Sequence, residues 1–253
     1  MADGFRLPFI FQIGGSMLAL LDHRAPMAVE DSLLENGHEV LRLPSCKTLP
    51  VPVAAHADLL LYFVPDAILC TKDYFEIAEN QLKTISQAVQ KPLRFIDGML
   101  GDVYPKDVPL NAVSVGDVLF CNPKTVAREI LESNFKKKIF SVKQGYTKCS
   151  ILPVGKNALV TEDDSIANSG RAHGLDVLQI EKGFVSLPGY DTGFLGGATS
   201  FSPYKEVDEI FFCGDLKSHP NGGAIQNFCK KHKKKIIPLG DFPLLDVGTI
   251  FLI

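Results

Sequence analysis

One short pattern recurs five times along this sequence of 253 residues. It consists of an apolar strand, a turn with Asp, Asn or Pro, a helix, and a second short apolar strand that ends near Gly or Pro. Short β-branched and aromatic runs are typical of buried strands, and Asn, Asp or Pro starts the turn and caps the next helix. Repeated units of this length predict a chain built from similar modules.

The five copies share the same kinds of turn and cap residues and the same order of elements. We predict helices over residues 28–35, 74–89, 125–133, 165–172 and 224–232. The strands before these helices are predicted at 17–21, 59–63, 118–121, 158–161 and 210–213, and those after them at 40–43, 93–96, 138–142, 177–180 and 236–239. A further short strand is predicted between copies, at 51–55, 112–115, 150–154 and 193–199.

The C-terminal run, residues 249–253, is apolar and has no helix after it. We interpret it as the missing strand of the first unit, which would close the edge of that unit. The chain is therefore expected to form a single α/β domain, a five-fold pseudosymmetric propeller of ββαβ repeats. The repeats are predicted at about 1–45, 46–98, 99–145, 146–183 and 184–240, with 241–253 closing the ring.

Composition indicates an ordinary globular protein. Hydrophobic residues make up 46% and charged residues 22%, and the net charge of -3 gives no sign of a nucleic-acid partner. The basic run 230–235 falls at a predicted helix end, where cations complement the exposed carbonyls. The six cysteines form no C-x-x-C pair, so we predict reduced thiols, a cytoplasmic location and neither a metal nor a cofactor.

The N-terminal segment allows two interpretations. Arg6 and the apolar run 7–21 resemble a weak signal peptide, but Gln12 and neighbouring glycines interrupt the run, and no clear cleavage site follows. The run is also too short to span a membrane. We predict a buried strand here and no association with a membrane.

Several longer segments resemble a known fold. The segments are 142–150, 187–197, 212–220, 56–58 and 245–249. Together with the five repeats they resemble the pentein fold of the guanidino-group-modifying enzymes, and in particular an uncharacterised bacterial branch of it. The resemblance implies a small cationic substrate that carries a guanidine or amine group.

The sequence departs from the pattern of the well-known pentein enzymes. Those enzymes use a cysteine nucleophile in the last repeat, a histidine base and two carboxylates that bind guanidinium. Here the last repeat reads Asp-Val-Gly-Thr-Ile over 246–250, and the segment 189–192 contains no histidine. The standard arginine-processing mechanism is therefore not expected.

Cys149 is the main candidate nucleophile. It follows Lys148 at a predicted strand start, and a neighbouring cation stabilises a thiolate. The alternative is a small core residue. His56 and Asp58 are two residues apart, so on a strand they would share a face and could serve as base and orienting carboxylate for the cysteine. The alternative is a polar pair at a strand edge.

Other residues are candidates for binding a ligand. Gly196 and Gly197, together with Gly193, form a loop whose amides could hold an anion, or simply a tight bend. Asp215 and Asp246 lie at predicted strand ends, where they could bind a cation or cap a turn.

Asn111 could line the centre of the ring. From all of these residues we predict a cysteine-dependent hydrolase or transferase that acts at a C–N bond, with Cys149, His56 and Asp58 as catalytic residues and Lys148 among the substrate-binding residues. The alternative is a non-catalytic module that binds a ligand or partner. The sequence indicates no oligomeric state.

Overall fold

The computed structural model describes residues 16–253. Its strands are Leu18–Asp22 (β1), Glu39–Leu43 (β2), Tyr62–Val64 (β3), Ala67–Cys70 (β4), Leu93–Phe95 (β5), Val113–Val115 (β6), Val118–Cys121 (β7), Lys138–Ser141 (β8), Ile151–Pro153 (β9), Ala158–Thr161 (β10), Asp176–Gln179 (β11), Ser200–Phe201 (β12), Glu209–Phe212 (β13), Lys235–Pro238 (β14) and Ile250–Leu252 (β15). The α-helices are Met27–Glu35 (α1), Ala57–Leu60 (α2), Lys72–Val89 (α3), Arg128–Ser133 (α4), Asp164–Ala172 (α5) and Gly222–Lys231 (α6). Short 3₁₀ helices cover Val51–Val53, Gly196–Ala198 and Leu216–Ser218.

In the part of the chain that the structure describes, these strands form five small sheets. Each sheet contains one pair of parallel strands joined by a helix, as the repeat predicts. The pairs are β1 and β2, β4 and β5, β7 and β8, β10 and β11, and β13 and β14. The protein is thus a mixed α/β structure of several small sheets, and no closed sheet is found in residues 16–253.

The C-terminal strand lies where the sequence predicts it. β15 pairs antiparallel with β1, with Ala19 opposite Leu252, and it also pairs parallel with β12. The chain end therefore completes the sheet of the first unit. The part of the predicted N-terminal segment before residue 16 lies outside the described residues.

Local signals placed the helices well. α3 buries Tyr74, Ala78, Leu82 and Ile85, which recur every three or four residues and so share one helix face. Asp163 caps α5 by accepting hydrogen bonds from the amides of residues 165 and 166. Gly174 follows α5 at φ +82°, a left-handed conformation that ends a helix and favours glycine.

Three predicted strands were wrong. The apolar run 59–63 was predicted as one strand, but residues 57–60 form helix α2 and residues 62–64 form β3. Pro65 and Asp66 then turn the chain into β4, which is the strand that precedes α3. Residues 51–53 and 196–198 are 3₁₀ helices. Short apolar runs do not by themselves separate strand from helix.

Three further observations concern the cysteines, the length of the helices and the possible metal ligands. All six cysteines are buried free thiols. No helix within residues 16–253 is both long and apolar enough to cross a membrane. The same residues contain no group of three or more His, Cys, Asp or Glu side chains arranged to hold a metal ion.

Candidate active site

Five buried polar residues meet at one point in the interior. They are Asp58, Asn111, Lys148, Cys149 and Thr249, which we call the central cluster. Each of them is at most 2% exposed. The hydrogen bond from Thr249 to Asp58 joins residues 191 positions apart, so only the tertiary fold assembles this cluster.

The thiol of Cys149 is hydrogen-bonded to a carboxylate. Cys149 Sγ donates to Asp58 Oδ2 over 3.2 Å, and the Thr249 hydroxyl donates to the same oxygen over 2.7 Å. Within the described residues 16–253, the other oxygen, Asp58 Oδ1, is buried without a hydrogen-bond partner. Because burying an unpaired polar atom is costly, this oxygen is suited to a ligand that brings an N–H or O–H donor.

Asn111 connects Asp58 with the segment that contains Lys148 and Cys149. Its Nδ2 donates to the carbonyl of Asp58 over 3.0 Å and lies 3.1 Å from Cys149 Sγ. Its Oδ1 accepts from the amides of Lys148, at 2.6 Å, and Cys149, at 3.3 Å. Asn111 is thus a buried side chain that fixes the cysteine against the carboxylate.

Lys148 points into the cluster as well. Its Nζ donates to Thr249 Oγ1 over 3.0 Å and to the carbonyl of Gly196 over 3.2 Å. Burial lowers the pKa of Lys148, while the charge of Asp58 opposes this effect. The pKa of Asp58 is raised, mainly by burial. Lys148 and Asp58 are therefore linked through the Thr249 hydroxyl in a buried environment of low dielectric constant.

The pKa of the Cys149 thiol is shifted in the direction opposite to the one that the neighbouring Lys148 predicts. Burial raises this pKa well above the ordinary value, and the charges of Asp58 and Asp246 raise it further. The positive charge of Lys148 lowers it by a smaller amount. In this structure the sulfur is accordingly a neutral thiol that donates to Asp58.

His56 lies beside the cluster. It precedes helix α2, and Asp58 is inside that helix, so the predicted shared face of a strand does not exist. The ring nitrogens of His56 lie 3.8 Å from Asp246 Oδ1 and 4.0 Å from Asp22 Oδ2. Burial lowers the pKa of His56, and the charge of Asp58 opposes this effect. The carboxylate that accepts a hydrogen bond from the thiol is Asp58.

Of the two predicted acidic ligands, Asp246 lies next to the cluster. It is 4% exposed, and its oxygens accept from the amides of Phe194 and Gly248, both over 2.9 Å. Burial raises its pKa to about 6. Asp215 caps the 3₁₀ helix Leu216–Ser218 instead, and its carboxylate accepts from the Lys217 amide. That cap satisfies Asp215 locally.

The glycine loop is a packing feature rather than an anion hole. The amide of Gly197 already donates to the carbonyl of Cys149, and that of Gly193 donates to the carbonyl of Val185. A Cβ on Gly196 would overlap the carbonyls of residues 148, 149 and 151. The loop therefore needs glycine because the cysteine segment packs directly on it.

Thr249 is the cluster residue that the sequence analysis did not select. It has φ +65°, which is rare for a β-branched residue, and it is fully buried. Backbone strain of this kind costs on the order of 1–3 kcal/mol and concentrates at functional sites. The segment 246–250 lacks the cysteine that the pentein enzymes carry in their last repeat, and no local pattern indicates the role of the Thr249 hydroxyl.

The family of the chain follows from a match that covers most of its residues. The sequence profile of DUF6873, a family of unknown function, matches residues 20–251. The chain belongs to DUF6873. A comparison with curated proteins gives no match.

Solved structures similar to this DUF6873 protein include an agmatine deiminase and a dimethylarginine dimethylaminohydrolase. Agmatine deiminase from C. jejuni has a TM-score of 0.53 at 11% identity, over 88% of this chain and 86% of the enzyme. The same deiminase with substrate bound gives 0.52 at 11% identity, over 94% and 92%. A dimethylarginine dimethylaminohydrolase adduct gives 0.51 at 10% identity, over 88% and 92%. The resemblance to the pentein fold is thereby confirmed.

The packing of the glycine loop gives a stability prediction for DUF6873. A Cβ on Gly197 would overlap Asp246 Oδ1, which is already fixed by a backbone amide. We expect Gly197→Ala to lower the free energy of unfolding by about 1–3 kcal/mol. The control is Gly223→Ala in α6, where a Cβ meets no atom within 4 Å and should stabilise by about 0.5–1 kcal/mol. Equal stability of the two variants in urea would contradict the packing role.

Proposed function

We propose that this DUF6873 protein is an enzyme that acts at a C–N bond of a small cationic molecule bearing a guanidine or amine group, with Cys149 as nucleophile. The observation that carries the proposal is the hydrogen bond from Cys149 Sγ to Asp58 Oδ2. A nucleophile and its base within hydrogen-bond reach are the usual signature of covalent catalysis. The buried, unpartnered Asp58 Oδ1 supports a substrate with N–H donors.

The chemical step uses Asp58 as the proton acceptor. Cys149 Sγ attacks the central carbon of the guanidinium group, and its proton moves to Asp58 Oδ2 as the S–C bond forms. The tetrahedral adduct then breaks its C–N bond, and Asp58 returns the proton to the departing nitrogen. Water, or an acceptor amine, gives a proton to Asp58 as it attacks the thiouronium carbon, and Asp58 returns that proton to the sulfur as the S–C bond breaks to restore the thiol.

A cationic substrate would lower the raised pKa of the thiol. Without ligand, burial opposes a thiolate, and the neighbouring charges of Asp58 and Asp246 add to this effect. A guanidinium beside the same carboxylates would neutralise them and favour ionisation of the sulfur. Lys148 and Thr249 act as positioning residues, because the lysine holds the hydroxyl that donates to Asp58.

We further infer that the five units surround a common axis, as in the pentein fold, with the central cluster at the hub. The cluster supports this arrangement because it gathers residues from widely separated segments. Asp58 belongs to α2, Asn111 precedes β6, Cys149 precedes β9, and Thr249 precedes β15.

A non-catalytic binding module is the second candidate. It is favoured by the near-complete burial of Cys149, which is 2% exposed, and by the raised pKa of its thiol. Buried thiols of this kind are ordinarily inert. Reactivity of the cysteine in the presence of a cation separates the two candidates.

The test combines turnover with thiol labelling. Agmatine, arginine and dimethylarginine are offered, and amine release is measured. Cys149→Ala is expected to lower kcat by at least about 10³-fold, since the nucleophile is lost. Cys229→Ala, at another fully buried cysteine in the apolar core, is the control and should retain activity. Methylguanidinium is expected to speed alkylation of Cys149 by iodoacetamide. Labelling of Cys149 no faster than that of Cys229, with and without the cation, would support the binding module.

A further inference from the structure

A small cavity adjoins the central cluster on the side of Asp246. Its volume is about 190 Å³, and its wall includes Gln144, Glu162, Asp163, Lys182, Thr192 and Phe194. Pockets for whole drug-sized ligands usually measure about 300–1,000 Å³, so this cavity suits one small group of a ligand. Gly193 separates it from the cluster, since a Cβ there would lie 2.5 Å from Asp246 Cβ.

Glu162 is the buried charged side chain of this cavity. It is 5% exposed, and its Oε1 accepts from the amide of Leu195 over 3.3 Å. In residues 16–253 its Oε2 accepts no hydrogen bond, although the side chain lines the cavity. Because Oε2 is not sealed off from the cavity, a ligand seated there can reach it with a donor.

The cavity also has an aromatic wall. The ring of Phe194 is stacked on Tyr146 with a centroid distance of 5.9 Å, and the Phe194 amide is tied to Asp246 Oδ2. Organic cations are attracted to the face of such rings. Asp163 also lines the cavity, and its Oδ1 accepts the capping hydrogen bonds of α5, whereas Glu162 is the buried carboxylate of the wall.

We propose that this cavity is a subsite for a small organic cation, a guanidinium or alkylammonium group, held by the Glu162 carboxylate against the Phe194 ring. As the recognition subsite of a substrate it rests on the proposed function, whereas binding of the cation alone requires no chemistry at Cys149. The wall of the cavity is tied to Asp246, because the Phe194 amide donates to Asp246 Oδ2.

The ionisation of Glu162 gives the subsite a pH dependence. The pKa of Glu162 is raised to about 8, mainly by burial and in smaller part by the charge of Asp246, while the Leu195 amide and Lys182 oppose these effects. Asp163 also raises this pKa. A cation binds the ionised form, so its affinity increases as the pH rises through this range, and binding releases a proton.

The test uses methylguanidinium as the probe and methylurea as its neutral counterpart, with binding followed by NMR titration or calorimetry. We expect methylguanidinium to bind roughly tenfold more tightly at pH 9 than at pH 7, as a single group of this pKa requires. Glu162→Gln should weaken binding at pH 9 at least tenfold. The matched control is Asp164→Asn, which makes the same change at the next exposed carboxylate and should not affect binding.

Two outcomes would overturn the subsite. One is equal binding by Glu162→Gln and the parent protein, and the other is equal affinity for methylurea and methylguanidinium. Phe194→Leu provides a second variant, which should weaken binding severalfold while leaving Glu162 in place. Cys149→Ala is expected to bind the cation as the parent protein does, so a failure of catalysis and a failure of this subsite are distinguishable.

Discussion

Replacing Phe251 by alanine is expected to remove about 3–5 kcal/mol of unfolding free energy. Phe251 lies at the centre of β15, is 4% exposed, and packs edge-on against Phe63 with a centroid distance of 5.0 Å. Its neighbours Ile250 and Leu252 enter a different apolar cluster, so this strand joins two parts of the core. Total stabilities are typically about 5–15 kcal/mol, and the expected loss is a large share of that.

The measurement is urea unfolding of Phe251→Ala followed by circular dichroism. For a chain of this size the loss should lower Tm by roughly 6–20 °C. Phe135→Ala is the matched control, since Phe135 is 76% exposed and should change stability by no more than about 0.5 kcal/mol. A loss below about 1 kcal/mol at Phe251 would mean that packing of the C-terminal strand contributes little to the stability of the first sheet.

A complete removal of residues 250–253 should be more severe. Three buried side chains would be lost, each worth about 1.5–3 kcal/mol, or about 5–9 kcal/mol together. The backbone pairing of Leu18 with Ile253, at 2.9 and 3.0 Å, would be lost as well. We expect this truncated chain to be unfolded or insoluble on expression.

The position of β15 was predictable for two reasons. The apolar run 249–253 has no following helix, and the first unit lacked one strand. The helices were predictable for a similar reason, since caps such as Asp163 and terminators such as Gly174 act within a few residues of where they stand. The hairpin at Pro65 was missed because residues 59–70 are almost uniformly apolar. In such a segment neither helical nor strand periodicity is visible.

The central cluster was only partly predictable. Cys149 and Asp58 were predicted to act together with His56, and Asn111 to line the centre, but the observed contacts span 38 to 91 positions and depend on how the units pack. Glu162 was missed because a Glu-Asp pair after a strand is typical of a turn. The role of Glu162 follows from burial, which no residue within a few positions dictates.

Replacing Lys148 by methionine should destabilise the protein by about 3–5 kcal/mol, because it leaves the buried Asp58 carboxylate without a compensating charge. Both side chains are 1% exposed, and the Thr249 hydroxyl connects them. An exposed pair behaves differently, so Lys83→Met, which removes the surface partner of Glu79, should cost at most about 1 kcal/mol.

A double-mutant cycle measures how strongly the two buried charges are coupled. Asp58→Asn removes the carboxylate charge but keeps the shape of the side chain, so it should restore much of the stability that Lys148→Met loses. We expect the double variant to be more stable than the sum of the single losses by at least about 1 kcal/mol in urea unfolding. Additive losses would mean that Lys148 is held by packing and by the Gly196 carbonyl alone. A measured coupling would instead establish that the ammonium sustains the charge of Asp58, and a carboxylate kept ionised in a dry interior is what the thiol of Cys149 requires as its proton acceptor.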